Sequence, residues 1–117
     1  MGCVWCYSSY GSHISLFESN RIYDRMKKLE QLMIVTMEEC GELKQACSKV
    51  LRKRDLEERE LKGKKTLEES MKDLTKEVAD VQCMIELLQT EGLVDWADIR
   101  QGVAEKRTKL KKWSRLI

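Results

Sequence analysis

Not one of the 117 residues is proline, and only six are glycine. Proline ends helices by removing an amide donor and clashing with the preceding turn. A chain without it can carry very long helices, and its other residues agree. Leu, Glu, Lys and Met are plentiful, while β-branched and aromatic residues are few. From about Arg21 to Arg54, Leu29, Leu32, Thr36, Leu43, Ala46, Cys47 and Val50 recur at three- and four-residue steps. Residues 52–65 are almost purely charged, which suits a solvated helix end and a loop turning at Gly63. Thr66-Leu67-Glu68-Glu69 has the form of a capping box. It opens a second helix to about Glu91, with Met71, Leu74, Val78, Val81, Ile85 and Leu88 as its seam and Gly92 as its stop. Asp95 then caps a third helix through Trp96, Ile99, Val103, Leu110 and Trp113.

The expected fold is all-α, with helices 25–54 and 67–91 packed antiparallel as a four-helix-bundle-type core. Residues 1–20 read as a loosely structured lead-in, and 21–117 as a single helical domain. Two long apolar seams from one small chain leave a face that a second copy would cover, so a homodimer or homotetramer is expected.

Charge and hydropathy exclude several classes of function. The 22 basic and 20 acidic residues nearly cancel, whereas a nucleic-acid binder usually carries a large basic excess. No run of 18 apolar residues exists, so no membrane span is expected. The start, Met1-Gly2-Cys3-Val4-Trp5-Cys6, lacks the basic and apolar regions of a signal peptide, and Cys6 stands where myristoylation wants Ser or Thr. Five cysteines is an odd number, and Cys40, Cys47 and Cys83 fall at helix-pattern positions. They read as reduced, buried small hydrophobes of a cytoplasmic protein.

The chemistry lies in the carboxylates. Five acidic pairs stand three residues apart: Glu39/Glu42, Asp55/Glu58, Glu57/Glu60, Glu77/Asp80 and Asp95/Asp98. Random placement would give roughly three such pairs, so spacing alone decides nothing. Position relative to the apolar seams does the sorting. At about 100° per residue, the apolar arc of the first helix spans roughly 160°. Glu39 lies inside that arc, Glu42 on its edge and Glu38 just beyond. On the second helix Glu77 falls within the Leu74–Val81–Met84 stripe and Asp80 flanks it. Asp55, Glu57, Glu58 and Glu60 sit among Lys and Arg with no seam, and Asp95 serves as a cap.

Two helices thus each aim two carboxylates at the surface where they pack. Desolvating such charges costs several kcal/mol each unless they are compensated. Neither seam is expected to carry a Lys or Arg at the right phase. Oxygen-only ligands suit Mg²⁺, with Mn²⁺ as its substitute. The pattern alone leaves a second reading open, in which Lys44, Lys49 or Lys76 pairs with these acids.

Glu38-Glu39-Cys40-Gly41-Glu42-Leu43, followed by Glu77-Val78-Ala79-Asp80, resembles the signature of the MazG-like all-α nucleoside triphosphate pyrophosphohydrolases. That family carries a Glu-Glu-x-x-Glu helix and a Glu-x-x-Asp helix, and is related to dimeric dUTPases and phosphoribosyl-ATP pyrophosphatases. The resemblance covers roughly residues 25–112. It implies Mg²⁺-dependent hydrolysis of nucleoside or deoxynucleoside triphosphates to monophosphate and pyrophosphate. It implies that Glu39, Glu42, Glu77 and Asp80 hold the metal, and that Glu38 assists with a second metal or the attacking water. The ion would bridge phosphate oxygens, acidify a bound water and offset charge on the departing pyrophosphate. Two departures stand out. The gap between Glu42 and Glu77 is longer than most members show, which the 52–65 insertion accounts for. The last helix keeps Lys106 and Lys109, candidates for the outer phosphates, but has Leu110 where Asn is usual.

Other features carry less. Cys3-Val4-Trp5-Cys6 has the spacing of a redox or zinc motif, without a second pair or a βαβ context. His13 is the only histidine, so a di-iron bundle with paired Glu-x-x-His motifs is excluded. Trp5, Phe17, Tyr23, Trp96 and Trp113 are candidates for a stacking wall, though the two last have core or interface phase. The rival reading is a non-catalytic helical interaction module, whose acid pairs set the register of a partner.

Overall fold

The computed structural model describes residues 15–54, 56, 60 and 63–117. Three long helices are found there: α1 at Leu16–Lys53, α2 at Leu67–Thr90 and α3 at Trp96–Trp113. No strand occurs among the described residues.

The helix ends follow their capping chemistry. α1 begins at Leu16, five residues before the expected start at Arg21, because Ser15 and Glu18 form a reciprocal capping box. The Glu18 amide donates to Ser15 Oγ (3.1 Å), and the Ser15 amide donates to Glu18 Oε2 (3.3 Å). The part of the expected lead-in before Ser15 lies outside the described residues. At α2 the Glu69 amide donates to Thr66 Oγ1 (3.1 Å), which is the N-cap half of the expected capping box; the return bond from the Thr66 amide to the Glu69 side chain is not formed. The helix stops at Gly92, whose φ of +76° is one that glycine adopts without the strain a Cβ brings. There the Leu93 amide donates to the Leu88 carbonyl and the Gly92 amide to that of Gln89. That pair of bonds is a Schellman closure. Asp95 caps α3 by accepting the Asp98 amide.

α1 and α2 form the principal packed pair. Lys28, early in α1, pairs with Glu91 at the end of α2, while Lys53 at the end of α1 reaches Ser70 at the start of α2. The two helices are therefore antiparallel. α1 rises about 57 Å and α2 about 36 Å at 1.5 Å per residue. Its first turns, before Lys28, extend past the end of α2, and Leu16, Phe17, Ile22, Tyr23 and Met26 there are exposed.

Burial is confined to the seam. Among the described residues, the buried apolar side chains are Leu32, Ala46 and Met84, joined by the hydroxyl of Ser70. Met33, Ile34 and Met37 on α1, Met71, Val78 and Leu87 on α2, and Val103 and Trp113 on α3 are exposed. Cys40, Cys47 and Cys83 are free thiols, but they too are exposed, which corrects the expectation of burial. Their helical phase is apolar, yet among the described residues little covers the outer flanks of the α1–α2 pair at these positions.

Candidate functional site

The facing stripe of α1 runs Leu32, Val35, Glu39, Glu42, Ala46, Lys49 and Lys53. These positions alternate three and four residues apart, so all of them meet α2 along one line. The facing stripe of α2 runs Ser70, Asp73, Glu77, Asp80, Met84, Leu87 and Glu91 with the same spacing. Packed antiparallel, the two stripes put like chemistry together in zones. Leu32 and Val35 meet Met84 and Leu87 around a shallow apolar pocket near the end of α2. In the middle, Glu39 and Glu42 meet Glu77 and Asp80. Beyond them, Lys49 and Lys53 meet Asp73 and Ser70.

One carboxylate oxygen from each of Glu39, Glu42 and Glu77 lies within 4.8 Å of the other two. Glu39 and Glu77 are half-buried, and Oε2 of each is a fully covered oxygen that receives no hydrogen bond. No Lys or Arg among the described residues makes an ion pair with Glu39, Glu42, Glu77 or Asp80; such pairs form at Lys28–Glu91 and Lys65–Asp73. Desolvation raises the Glu39 carboxyl above the ordinary range, and repulsion from Glu42, Asp80, Glu77 and Glu38 adds to it. Glu77 is raised likewise, first by desolvation and then by Glu42, through both repulsion and hydrogen bonding to its acid form. Asp80, half-buried one turn from Glu77, adds its charge to both without joining the close trio.

The site therefore contains Glu39, Glu42 and Glu77 as its centre and Asp80 at its flank. Glu38 is exposed and adjoins the centre through its charge on Glu39. Lys106 and Lys109 lie exposed on α3 and do not line the cavity beside the acids. Phe17 and Tyr23 sit on the overhang of α1, each under a cation of its own helix, with Arg21 and Lys27 at 5.1 and 4.7 Å from the ring centres. Tyr23 precedes Glu39 by roughly 24 Å along the axis. Trp96 is half-buried beside Leu43, Val78, Val81 and Ile85, while Trp113 is exposed. Cys3, Trp5, Cys6, His13, Asp55, Glu57 and Glu58 fall outside the described residues.

One expectation needs correcting. The α1 stripe does carry lysines in phase: Lys49 follows Glu42 by one heptad, and Lys53 follows Ala46 likewise. Lys49 lines a cavity of about 350 Å³ next to the acids, together with Lys65 and Lys76. A seven-residue offset from Glu42 would have revealed it. Lys65 gave no such signal, because its place depends on how the 52–65 segment returns.

A trio of unpaired carboxylates with covered, unsatisfied oxygens calls for a compensating positive charge. An oxygen-only donor set without His or thiolate matches a hard divalent cation, so the residues present fit Mg²⁺ or Mn²⁺. Searches against protein-family models, curated proteins and solved structures give no match for this chain.

Proposed function

We propose that this chain is a divalent-cation-dependent hydrolase that converts nucleoside triphosphates into monophosphate and pyrophosphate. The observation that carries the reading is the trio Glu39, Glu42 and Glu77, gathered within 4.8 Å at the middle of the seam with no cationic side chain among the described residues paired to it. The order and spacing of the two acidic motifs supply the reaction class through their likeness to the MazG-like enzymes.

Glu39, Glu42 and Glu77, with Asp80 beside them, would hold Mg²⁺, or Mn²⁺ in its place. A bound divalent ion supplies charge to phosphoryl oxygens and makes water a better nucleophile. The chain's own contribution is positional and proton-accepting. Glu38 stands next to the ligands, is exposed, and is free to take the proton of the attacking water. Water oxygen bonds to the α-phosphorus, the α–β anhydride bond breaks, and pyrophosphate leaves with that electron pair. The motif offers Lys106 and Lys109 as contacts for the outer phosphates.

Self-association belongs to the same reading. Met33, Ile34 and Met37 on α1 and Met71, Val78 and Leu87 on α2 are exposed, and a second copy would bury them as a four-helix core. None of the described helices is both long and apolar enough to cross a membrane.

A panel of ribo- and deoxyribonucleoside triphosphates, incubated with Mg²⁺ and resolved for products, tests the function. Monophosphate and pyrophosphate in equal amounts are expected from at least one nucleotide. Orthophosphate and diphosphate, or no turnover of any nucleotide, would overturn it and leave the interaction module.

A further inference from the structure

The acidic trio borders the cavity of about 350 Å³, and nothing in the proposed reaction yet uses the cavity's other residues. Its floor is built from Ala46 and Ser70, which are 4% and 2% exposed. Lys53 Nζ donates to Ser70 Oγ (3.0 Å), which fixes the buried hydroxyl. Glu42 and Glu77 of the trio also line the cavity, so the acids and the cavity share a wall. The remaining charged residues are Lys49, Lys65, Asp73 and Lys76. Lys65 is committed to Asp73 (2.6 Å). Lys49 and Lys76 form no ion pair among the described residues, although both stand at the mouth of an acidic centre.

The charge balance decides what this cavity takes. Three ammonium groups and three carboxylates line it, so with the acids bare it holds no excess of either sign. A divalent cation shared by Glu39, Glu42 and Glu77 would offset two of the trio's three charges at the wall that the acids and the cavity share. Lys49 and Lys76 are the ammonium groups of this concave polar space that no ion pair among the described residues holds. Cavities of about 300 Å³ and more accommodate small ligands, and paired ammonium groups attract compact polyanions.

We propose that this cavity is the pyrophosphate subsite, in which Lys49 and Lys76 bind the anionic end of the substrate once a cation occupies Glu42 and Glu77. The proposal rests on the nucleotide reading and moves its phosphate contacts from α3 to the seam itself. The cation and the anion then support one another, and linkage requires that each raise the other's affinity by the same factor.

Calorimetric titration of the full chain with inorganic pyrophosphate, in Mg²⁺ and in chelator, tests this. Binding is expected in Mg²⁺ and at least about tenfold weaker in chelator. Lys49→Met and Lys76→Met should each weaken pyrophosphate by about tenfold, the scale of a lost charge-assisted contact. Mn²⁺ affinity without anion should stay level or rise in both, because a repelling ammonium has gone. Lys72→Met, exposed on α2 outside the cavity, should change neither. Lys49→Gln gives a second variant should the methionine disturb helical content, read by circular dichroism.

Unaltered pyrophosphate affinity in the Lys49 and Lys76 variants would overturn the subsite. So would its loss in Lys106→Met and Lys109→Met instead, or a parallel loss of Mn²⁺ affinity in the cavity variants. The two levels of the account fail differently. Turnover with unchanged KM in the Lys49 and Lys76 variants sinks the subsite alone. Cation-dependent pyrophosphate binding with no nucleotide turned over sinks the substrate reading alone.

Discussion

Asp73 lies on the same stripe of α2 as Glu77, and Glu91 caps the helix on that line, yet the environments of these two outer acids are opposite to that of Glu77. Each outer acid receives a lysine: Lys65 holds the Asp73 carboxyl below its ordinary range, and Lys28 does the same for Glu91. Glu77 between them has no such partner, and desolvation together with Glu42 pushes it up. Glu39 across the seam behaves as Glu77 does. One helix face thus contains acids that are satisfied by the fold and acids that are not. Asp73 and Glu91 are closed by the chain itself, whereas the unsatisfied carboxylates gathered within 4.8 Å repel one another, and on the proposed reading an external cation would relieve that repulsion.

The largest effect should come from neutralising the unsatisfied set. Glu42→Gln, Glu77→Gln or Asp80→Asn should lower pyrophosphate release by about a thousandfold or more, the scale of a lost catalytic cation. Each should also raise the melting temperature of the metal-free protein, since repulsion among the remaining acids falls. Glu91→Gln, on the same stripe, should leave turnover within about twofold and lower the melting temperature slightly. A Glu91→Gln variant as inactive as Glu77→Gln would erase the distinction between the two classes.

Glu38→Gln should separate proton transfer from metal binding. A fall in kcat of about a hundredfold is expected, with Mn²⁺ affinity nearly unchanged. Equal losses in both would place Glu38 among the ligands.

The stability profile with pH should carry both signs. Glu39 and Glu77 hold their protons more tightly folded than unfolded, so above the unfolded value near 4.5 the folded state binds more protons. Stability of the metal-free chain should therefore fall as pH rises through the carboxylate range, until both acids are ionised in each state. Asp73 and Glu91 act the other way. Their contribution is complete above their unfolded values near 3.8 and 4.5, and is lost as pH falls through the lower folded ones. Melting curves from pH 3 to 8 should show the fall in wild type, a flatter line in Glu77→Gln and less acid loss in Asp73→Asn. A wild-type profile rising steadily from pH 5 to 8 without metal would contradict the assignment.

The smallest effect belongs to Lys65→Met. Its pair with Asp73 is solvent-exposed, with 60% and 40% of the two side chains accessible, so the melting temperature should drop by a few degrees at most. Any larger change would show that the pair also anchors the 52–65 segment.

Much of the fold was legible because helix periodicity and caps are local signals. Thr66, Gly92 and Asp95 mark real helix ends, and helical phase placed Glu39, Glu42 and Glu77 on the seam where the structure brings their carboxylates together. What was not legible depends on neighbours. The early start at Leu16 needed the Ser15–Glu18 box, hidden in an aperiodic segment. The exposure of Cys40, Cys47 and Cys83 follows from how little one chain covers of its own helices, which composition does not report. Lys28 and Lys65 became partners of Glu91 and Asp73 only through the antiparallel register, which no single helix encodes.

The central claim is that the middle of the seam is built for a cation while its ends are built for lysines. A titration of the metal-free protein with Mn²⁺, followed by electron paramagnetic resonance of the free ion, tests this most directly. Saturable binding is predicted in wild type and in Glu91→Gln, and its loss in Glu42→Gln and Glu77→Gln. Equal binding in all four proteins, or none in wild type, would contradict the account.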